Sequence, residues 1–264
     1  MTAHSFIDTH THLDDEQFDP DRDDVLDAAL AAGVSRFVNI GYSPRRWTST
    51  LALAAGRPEV AFALGLHPGN ADDWSHETFE TLSTLVSTHR PSAIGEIGID
   101  LYWRTDNLPV QIDSFQNQID LALRNDLPIV IHQRMAGNEV QQVLAGTPEH
   151  LQVLLHSFDG HPGLARLAKE RGWTIGVGGL STRRQEEELR ALLTEFPLDQ
   201  IVLETDSPYL VPSGVKSRRN TPSAIPLIAE RLANLRGIPL DAVAEATTNN
   251  ASRLFGLPLQ AIHQ

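Results

Sequence analysis

Ala93-Ile-Gly-Glu-Ile-Gly-Ile-Asp100 opens as a short apolar run, is followed by a helical pattern over Asp113 to Arg124, and gives way to a second apolar run, Pro128-Ile-Val-Ile-His132. A strand, a helix and a strand in that order make a βα unit, which demands a parallel sheet. Working outward, the same alternation fills the chain. Short runs rich in Val, Ile, Leu or Phe fall at Ser5 to Thr9, Arg36 to Ile40, Val60 to Leu64, Ala93 to Ile97, Pro128 to His132, Gln152 to His156, Thr174 to Val177 and Ile201 to Thr205. Between and after them lie helical periodicities such as Asp23 to Ala32, Phe79 to Thr88, Leu164 to Arg171, Gln185 to Glu195, Ile225 to Arg236 and Leu240 to Leu254. Gly33 and Gly172 stand where helices need left-handed ends. Eight such units predict an α/β protein of the (β/α)8 TIM barrel class, a single domain over residues 1–264. An open doubly wound sheet is the competing architecture, but Gly176, Gly178 and Gly179 lack the spacing of a dinucleotide-binding loop.

Composition narrows the chemistry. The chain has 264 residues, 21 Lys+Arg against 34 Asp+Glu (net charge −13), 41% hydrophobic residues and no cysteine. Without cysteine there is no disulfide, zinc-thiolate site, iron–sulfur ligation or thiol nucleophile, so any metal must sit on His and carboxylate. The acidic balance argues against a broad basic surface gripping duplex DNA, while leaving room for a pocket that takes a short strand or small anion. No basic leader and no long uncharged apolar run occurs, so the expectation is a cytoplasmic protein without membrane contact; no protein partner can be inferred.

The ionisable residues stand in a pattern. His10 and His12, two apart at the end of the first strand, share a face. Glu96 ends strand four, His132 strand five, His156 strand six and Asp206 strand eight. In a barrel these ends meet at the C-terminal face, where catalytic groups gather. Burying such groups singly is costly, so together they imply partners or a cation. Separate core histidines, each bonded locally, are the bland alternative. Four histidines and two carboxylates exceed one tetrahedral site and suit two divalent ions about 3.5–4 Å apart with a bridging carboxylate. Zn, Mn, Mg and Co are all compatible with these donors.

Ile7-Asp-Thr-His-Thr-His-Leu-Asp14, Gly65-Leu-His-Pro68, Ile94-Gly-Glu-Ile-Gly-Ile-Asp100, Ile131-His132, His156-Ser-Phe-Asp-Gly160, Leu203-Glu-Thr-Asp-Ser-Pro-Tyr-Leu210, Arg219-Asn-Thr-Pro222 and Asn250-Ala-Ser-Arg-Leu-Phe-Gly256 together resemble, in order and over residues 6–257, the motifs of the TatD family of metal-dependent deoxyribonucleases in the amidohydrolase superfamily. The resemblance implies a barrel with two ions: His10, His12 and Asp206 on the first, His132 and His156 on the second, Glu96 between them. It implies a hydrolase that cuts ester bonds, here phosphodiesters at the ends of single-stranded DNA or in a small substrate, through a metal-bound hydroxide. Asp206 and Glu96 are then the catalytic carboxylates, with Asp206 orienting the water or taking its proton.

Around them, strand parity places Glu204 with Asp206, Arg134 with His132 and Asp8 with His10. Glu204 and Asp8 read as groups that orient ligands or as plain structural hydrogen-bonders, and Arg134 as a phosphate fork or a rim arginine paired with a carboxylate. His67 either contacts substrate or caps a turn. Tyr209, Lys216, Arg218 and Arg219 after strand eight, and Tyr102, Trp103 and Arg104 after strand four, either stack bases and hold phosphates or form solvated loops. Glu204, His67, Arg134 and Tyr209 are the substrate-binding candidates. Departures from the family pattern at Gly69, at Gln133 and Met135, and at Asp159 touch substrate identity and leave the ligands intact. A barrel amidohydrolase acting on another ester, lactone or amide is the second reading, since the same attack serves carbonyl and phosphoryl centres. A non-catalytic binding protein on a barrel scaffold is the third.

Overall fold

The computed structural model describes residues 5–258. Among them are eight strands, β1 (Phe6–Thr11), β2 (Val34–Gly41), β3 (Val60–Leu64), β4 (Ala93–Asp100), β5 (Ile129–Arg134), β6 (Val153–Leu155), β7 (Thr174–Val177) and β8 (Ile201–Leu203). Nine α-helices intervene or follow: α1 (Arg22–Ala31), α2 (Pro44–Gly56), α3 (His76–His89), α4 (Leu108–Arg124), α5 (Gly137–Ala145), α6 (Pro162–Arg171), α7 (Glu187–Glu195), α8 (Ile225–Arg236) and α9 (Leu240–Phe255). The sheet order follows chain order from β1 to β8, and the ladders β1–β2, β3–β4, β4–β5, β5–β6 and β7–β8 are parallel, so the fold is of the (β/α)8 barrel class. By backbone contacts the chain divides into two compact units. One holds the residues up to 39 with 157–160 and those from 174 onward; the other holds 40–156 and 161–173.

In the first unit α9 packs on β8 and β1. The motif residue Asn250 explains part of that: its side-chain amide donates to the carbonyls of Leu198 (2.9 Å) and Ile201 (2.8 Å), satisfying backbone at the entry to β8. Gly256, at φ 64°, ends the helix in the left-handed conformation that glycine takes without a Cβ penalty. β8 stops at Leu203, two residues before the expected Thr205. The buried Asp8 carboxylate accepts both the Thr205 backbone N–H (3.0 Å) and its hydroxyl (2.6 Å), which takes that segment out of the ladder.

In the second unit α4 covers β4. Two amides on its inner face hold strand ends. Gln118 accepts from Leu66 N–H (2.7 Å) and donates to Leu66 O (3.2 Å). Gln111 accepts from Asp100 N–H (2.8 Å) and donates to Asp100 O (3.1 Å). β4 runs three residues beyond the expected Ile97 because the ladder to β5 shifts register between Gly95 and Ile97 and then resumes through Asp100. Gly98, at φ 139°, makes that possible, since a Cβ there would sit 2.0 Å from His132 O. The helices α2 and α5 were not singled out by periodicity. The first buries only Trp47 and Thr50, and the second has nine residues, too few turns for a clear stripe.

Candidate metal centre

The first unit brings His10, His12 and Asp206 together. His10 lies inside β1 and is fully buried, and His12 follows the strand. Their rings meet edge to face with centroids 5.0 Å apart, as the two-residue spacing predicts. Asp206 arrives from the turn after β8. Its Oδ1 lies 3.2 Å from His12 Nε2 and 3.8 Å from His10 Nε2. The turn is fixed from both sides, because Asp206 N–H donates to His10 O (2.9 Å) and Tyr209 N–H donates to Asp206 O (2.7 Å). Asp206 itself has φ 55°, a left-handed conformation that Asp tolerates better than most residues and that cooperative neighbours must maintain.

Two buried carboxylates support this set. Asp8 accepts from His10 N–H (3.3 Å) in addition to Thr205. Burial pushes its carboxyl well above the usual carboxylate range, with the Thr205 hydrogen bonds opposing. Glu204 is 1% exposed, and its Oε1 accepts Ser157 N–H (2.6 Å), so it grips the loop that begins directly after His156. The space it fills belongs to a missing side chain: a Cβ on Gly176 would lie 2.1 Å from Glu204 Oε2.

The second unit gathers Glu96, His132, His156, His67 and Asp100. Glu96 Oε1 lies 2.8 Å from His132 Nδ1, 3.7 Å from His156 Nε2 and 3.8 Å from His67 Nε2. Asp100 was quoted in the β4 motif and given no role, yet its Oδ2 lies 3.0 Å from His132 Nε2, while its Oδ1 accepts Tyr102 N–H (2.9 Å) and Trp103 N–H (3.2 Å). Glu96, Gly98 and Asp100 alternate on one strand face, and that parity was the available signal. Burial works against the His132 imidazolium, but Asp100 and Glu96 outweigh it and hold the ring above its usual value. Burial likewise raises Asp100, and the hydrogen bond to His132 overcomes it, leaving the carboxyl below the ordinary range.

His67 takes the turn-capping role. Its Nδ1 accepts Gly69 N–H (2.9 Å), capping the 3-10 turn Pro68–Asp73, while its ring packs 4.2 Å from that of His132. Arg134 lies over the rings of Tyr102 and Trp103. Tyr209 meets His12 edge to face at 5.9 Å. Of the loop cations, Arg104 is bound to Asp72 and Asp106, and Arg219 to Asp21.

The donor chemistry fits divalent ions. His10, His12 and Asp206 offer ligand atoms within 4.8 Å of one another, as do His67, Asp100 and His132. Imidazole nitrogen and carboxylate oxygen are the donors that catalytic zinc and its first-row neighbours take. Among the described residues no helix is long and apolar enough to cross a membrane.

A (β/α)8 barrel with histidines and carboxylates at its strand ends defines a metal-dependent hydrolase. Comparison with known proteins specifies the family: the model for TatD-related DNases matches residues 7–256, and the chain belongs to the TatD family. It is 33% identical over 250 residues to the metal-dependent hydrolase YabD of Bacillus subtilis, across 94% of this chain and 98% of that protein. It is 35% identical over 259 residues to the 3'-5' ssDNA/RNA exonuclease TatD of Erwinia tasmaniensis, across 95% and 100%. The crystal structure of the TatD homologue YjjV from Escherichia coli superposes with a TM-score of 0.89 at 32% identity, over 98% of this chain and all of that one.

Proposed function

We propose that this hydrolase removes nucleotides from the ends of single-stranded nucleic acid, acting as one barrel domain over residues 1–264 in the cytoplasm. The observation that carries the reading is the pairing of His12 and His10 with Asp206, and of His132 and His156 with Glu96, in a chain 35% identical to a protein named as a single-strand exonuclease. In this proposal His10, His12 and Asp206 would hold one divalent ion, and His132 and His156 with Glu96 would hold a second. Ions so held would lower the pKa of water and offset charge on a phosphoryl oxygen.

The chain's own groups supply the rest. Asp206 orients the attacking water and accepts its proton. Because His67 Nδ1 accepts the Gly69 N–H, the ring carries its proton on Nε2, where it is a hydrogen-bond donor for an anionic substrate oxygen. Arg134 and Tyr209 contact the strand. Asp8 and Glu204 hold backbone at Thr205 and Ser157 and so position Asp206 and His156 without touching substrate.

The test is hydrolysis of an end-labelled single-stranded oligonucleotide with Zn, Mn, Mg or Co and with chelator, beside a panel of lactones, carboxylic esters and amides. Metal-dependent shortening from one end is expected. Turnover of a carbonyl substrate with the oligonucleotide left intact overturns the proposal in favour of an amidohydrolase.

A further inference from the structure

Beyond the ends of β4 and β5 lies an aromatic platform that the metal chemistry does not use. Seven large hydrophobic side chains are exposed among the described residues, and three of them fall in these two loops: Tyr102 (50%) and Trp103 (70%), whose rings touch, and Met135 (71%). Contiguous exposed apolar surface marks a contact site, whereas exposed residues scattered singly do not. The Tyr102 and Trp103 rings meet edge to face, centroids 4.8 Å apart at 87°. The Arg134 guanidinium lies 3.8 Å from the Tyr102 ring centroid and 5.5 Å from that of Trp103.

That guanidinium takes no carboxylate partner among the described residues, in a chain where acidic groups outnumber basic ones by 34 to 21. Arg104, two residues from Tyr102, shows the ordinary fate of a cation here, bound by Asp72 and Asp106. A guanidinium stacked on a ring keeps its N–H edge available for an anion, and the planar fork suits phosphate. The platform is also tied to the chemistry. The Asp100 carboxylate that bonds His132 accepts the backbone N–H groups of Tyr102 and Trp103, so one anchor sets both the ligand ring and the aromatic loop.

We infer that Tyr102, Trp103 and Arg134 form a subsite for one unpaired nucleobase and its adjoining phosphate, the base stacking on the exposed indole and the phosphate taken by Arg134. The inference deepens the proposed activity and rests on it for the identity of the strand. A protein partner is the other occupant for such a patch, but a cation without a carboxylate, coupled through Asp100 to a ligand histidine, favours a phosphodiester.

The test is a binding measurement that does not depend on cleavage: anisotropy of labelled, cleavage-resistant phosphorothioate single strands with the metal-loaded protein. Each strand carries one abasic position in turn. Trp103→Ala is expected to weaken binding about five- to hundredfold, with Trp103→Phe close to wild type. One abasic position should weaken wild-type binding and cost nothing further in Trp103→Ala. Arg134→Gln should reduce the salt slope by about one phosphate. Deoxyribose and ribose strands are run in parallel, and either one showing the pattern supports the assignment. Trp103→Ala binding within twofold of wild type, an abasic loss that persists undiminished in that variant, or an equal loss on a blunt duplex overturns it. Failure to cut an ordinary strand in the separate cleavage assay strikes the proposed activity and leaves this outcome readable.

Discussion

Asp100→Asn isolates the protonation of the His132 ring. In the native arrangement Asp100 Oδ2 faces His132 Nε2 at 3.0 Å and Oδ1 receives the Tyr102 and Trp103 N–H groups at 2.9 and 3.2 Å. Each carboxylate can only accept, so in the metal-free protein both ring nitrogens favour a proton, Nε2 donating to Asp100 and Nδ1 to Glu96 at 2.8 Å; an ion held with Glu96 would take the Nδ1 lone pair, and Asp100 would keep the remaining proton on Nε2. Asparagine keeps one oxygen, which the two backbone N–H groups hold in place. Its amide nitrogen then faces Nε2 and donates. His132 must answer by keeping its proton on Nδ1, pointing a hydrogen where the ligand lone pair belongs. Losing such an orienting partner weakens metal affinity about 10- to 100-fold, or about 1.4–2.8 kcal/mol. The assay is activity against free metal concentration, with calorimetric titration of the metal-free protein beside it. The expected curve shifts to higher metal and regains most of its plateau. A half-saturating metal concentration within twofold of wild type would refute the tautomer argument.

Asp206→Asn and Glu96→Gln should each lower turnover by far more than tenfold, a barrier change well above about 1.4 kcal/mol, with thermal melts of the metal-free proteins close to wild type. Because His132 is held above its usual value of about 6.5, its interactions stabilise the metal-free protein fully below that pH, and the stability falls as pH rises through the folded value. Melts of chelated protein between pH 6 and 9 should therefore show a declining Tm that His132→Gln removes, and a flat profile in the native protein counts against the assignment. Trp173→Ala, which empties a fully buried site and leaves Leu151 O without its indole donor, should cost about 3–5 kcal/mol by urea denaturation, and a loss below 1 kcal/mol would show that the site collapses around the gap.

That these side chains would gather was legible in the sequence because Glu96, His132, His156 and Asp206 each stand at or beside the end of an apolar run, a pattern that burial makes expensive without a purpose. Strand parity was equally informative for His10 with His12. It failed to reach Asp100 because β4 was expected to end at Ile97, and only the register shift between Gly95 and Ile97, with the close approach that Gly98 allows, carries the strand to the residue that bonds His132. The ends of β6 and β8 came out shorter than expected for a related reason. Glu204 takes the Ser157 N–H over a separation of 47 residues, and Asp8 takes Thr205 over 197, contacts that no local periodicity encodes. Arg134 and Arg219 looked alike as loop cations. Only the position of Asp21, bonded to Arg219, and the stacking of Arg134 on Tyr102 separate a structural pair from an available one.

The Asp8–Thr205 contact also sets a schedule for the birth of the protein. His10 and His12 are synthesised long before the segment that carries Asp206, since Thr205 follows 197 positions after Asp8. At about 5–20 residues per second, the two imidazoles wait roughly 10–40 s for their carboxylate. During that interval the two rings stand without the carboxylate oxygen that faces them in the finished geometry. Any ion held by His10, His12 and Asp206 together would therefore be acquired late, after completion of β8, and a chain released early would carry its histidines without the carboxylate that faces them.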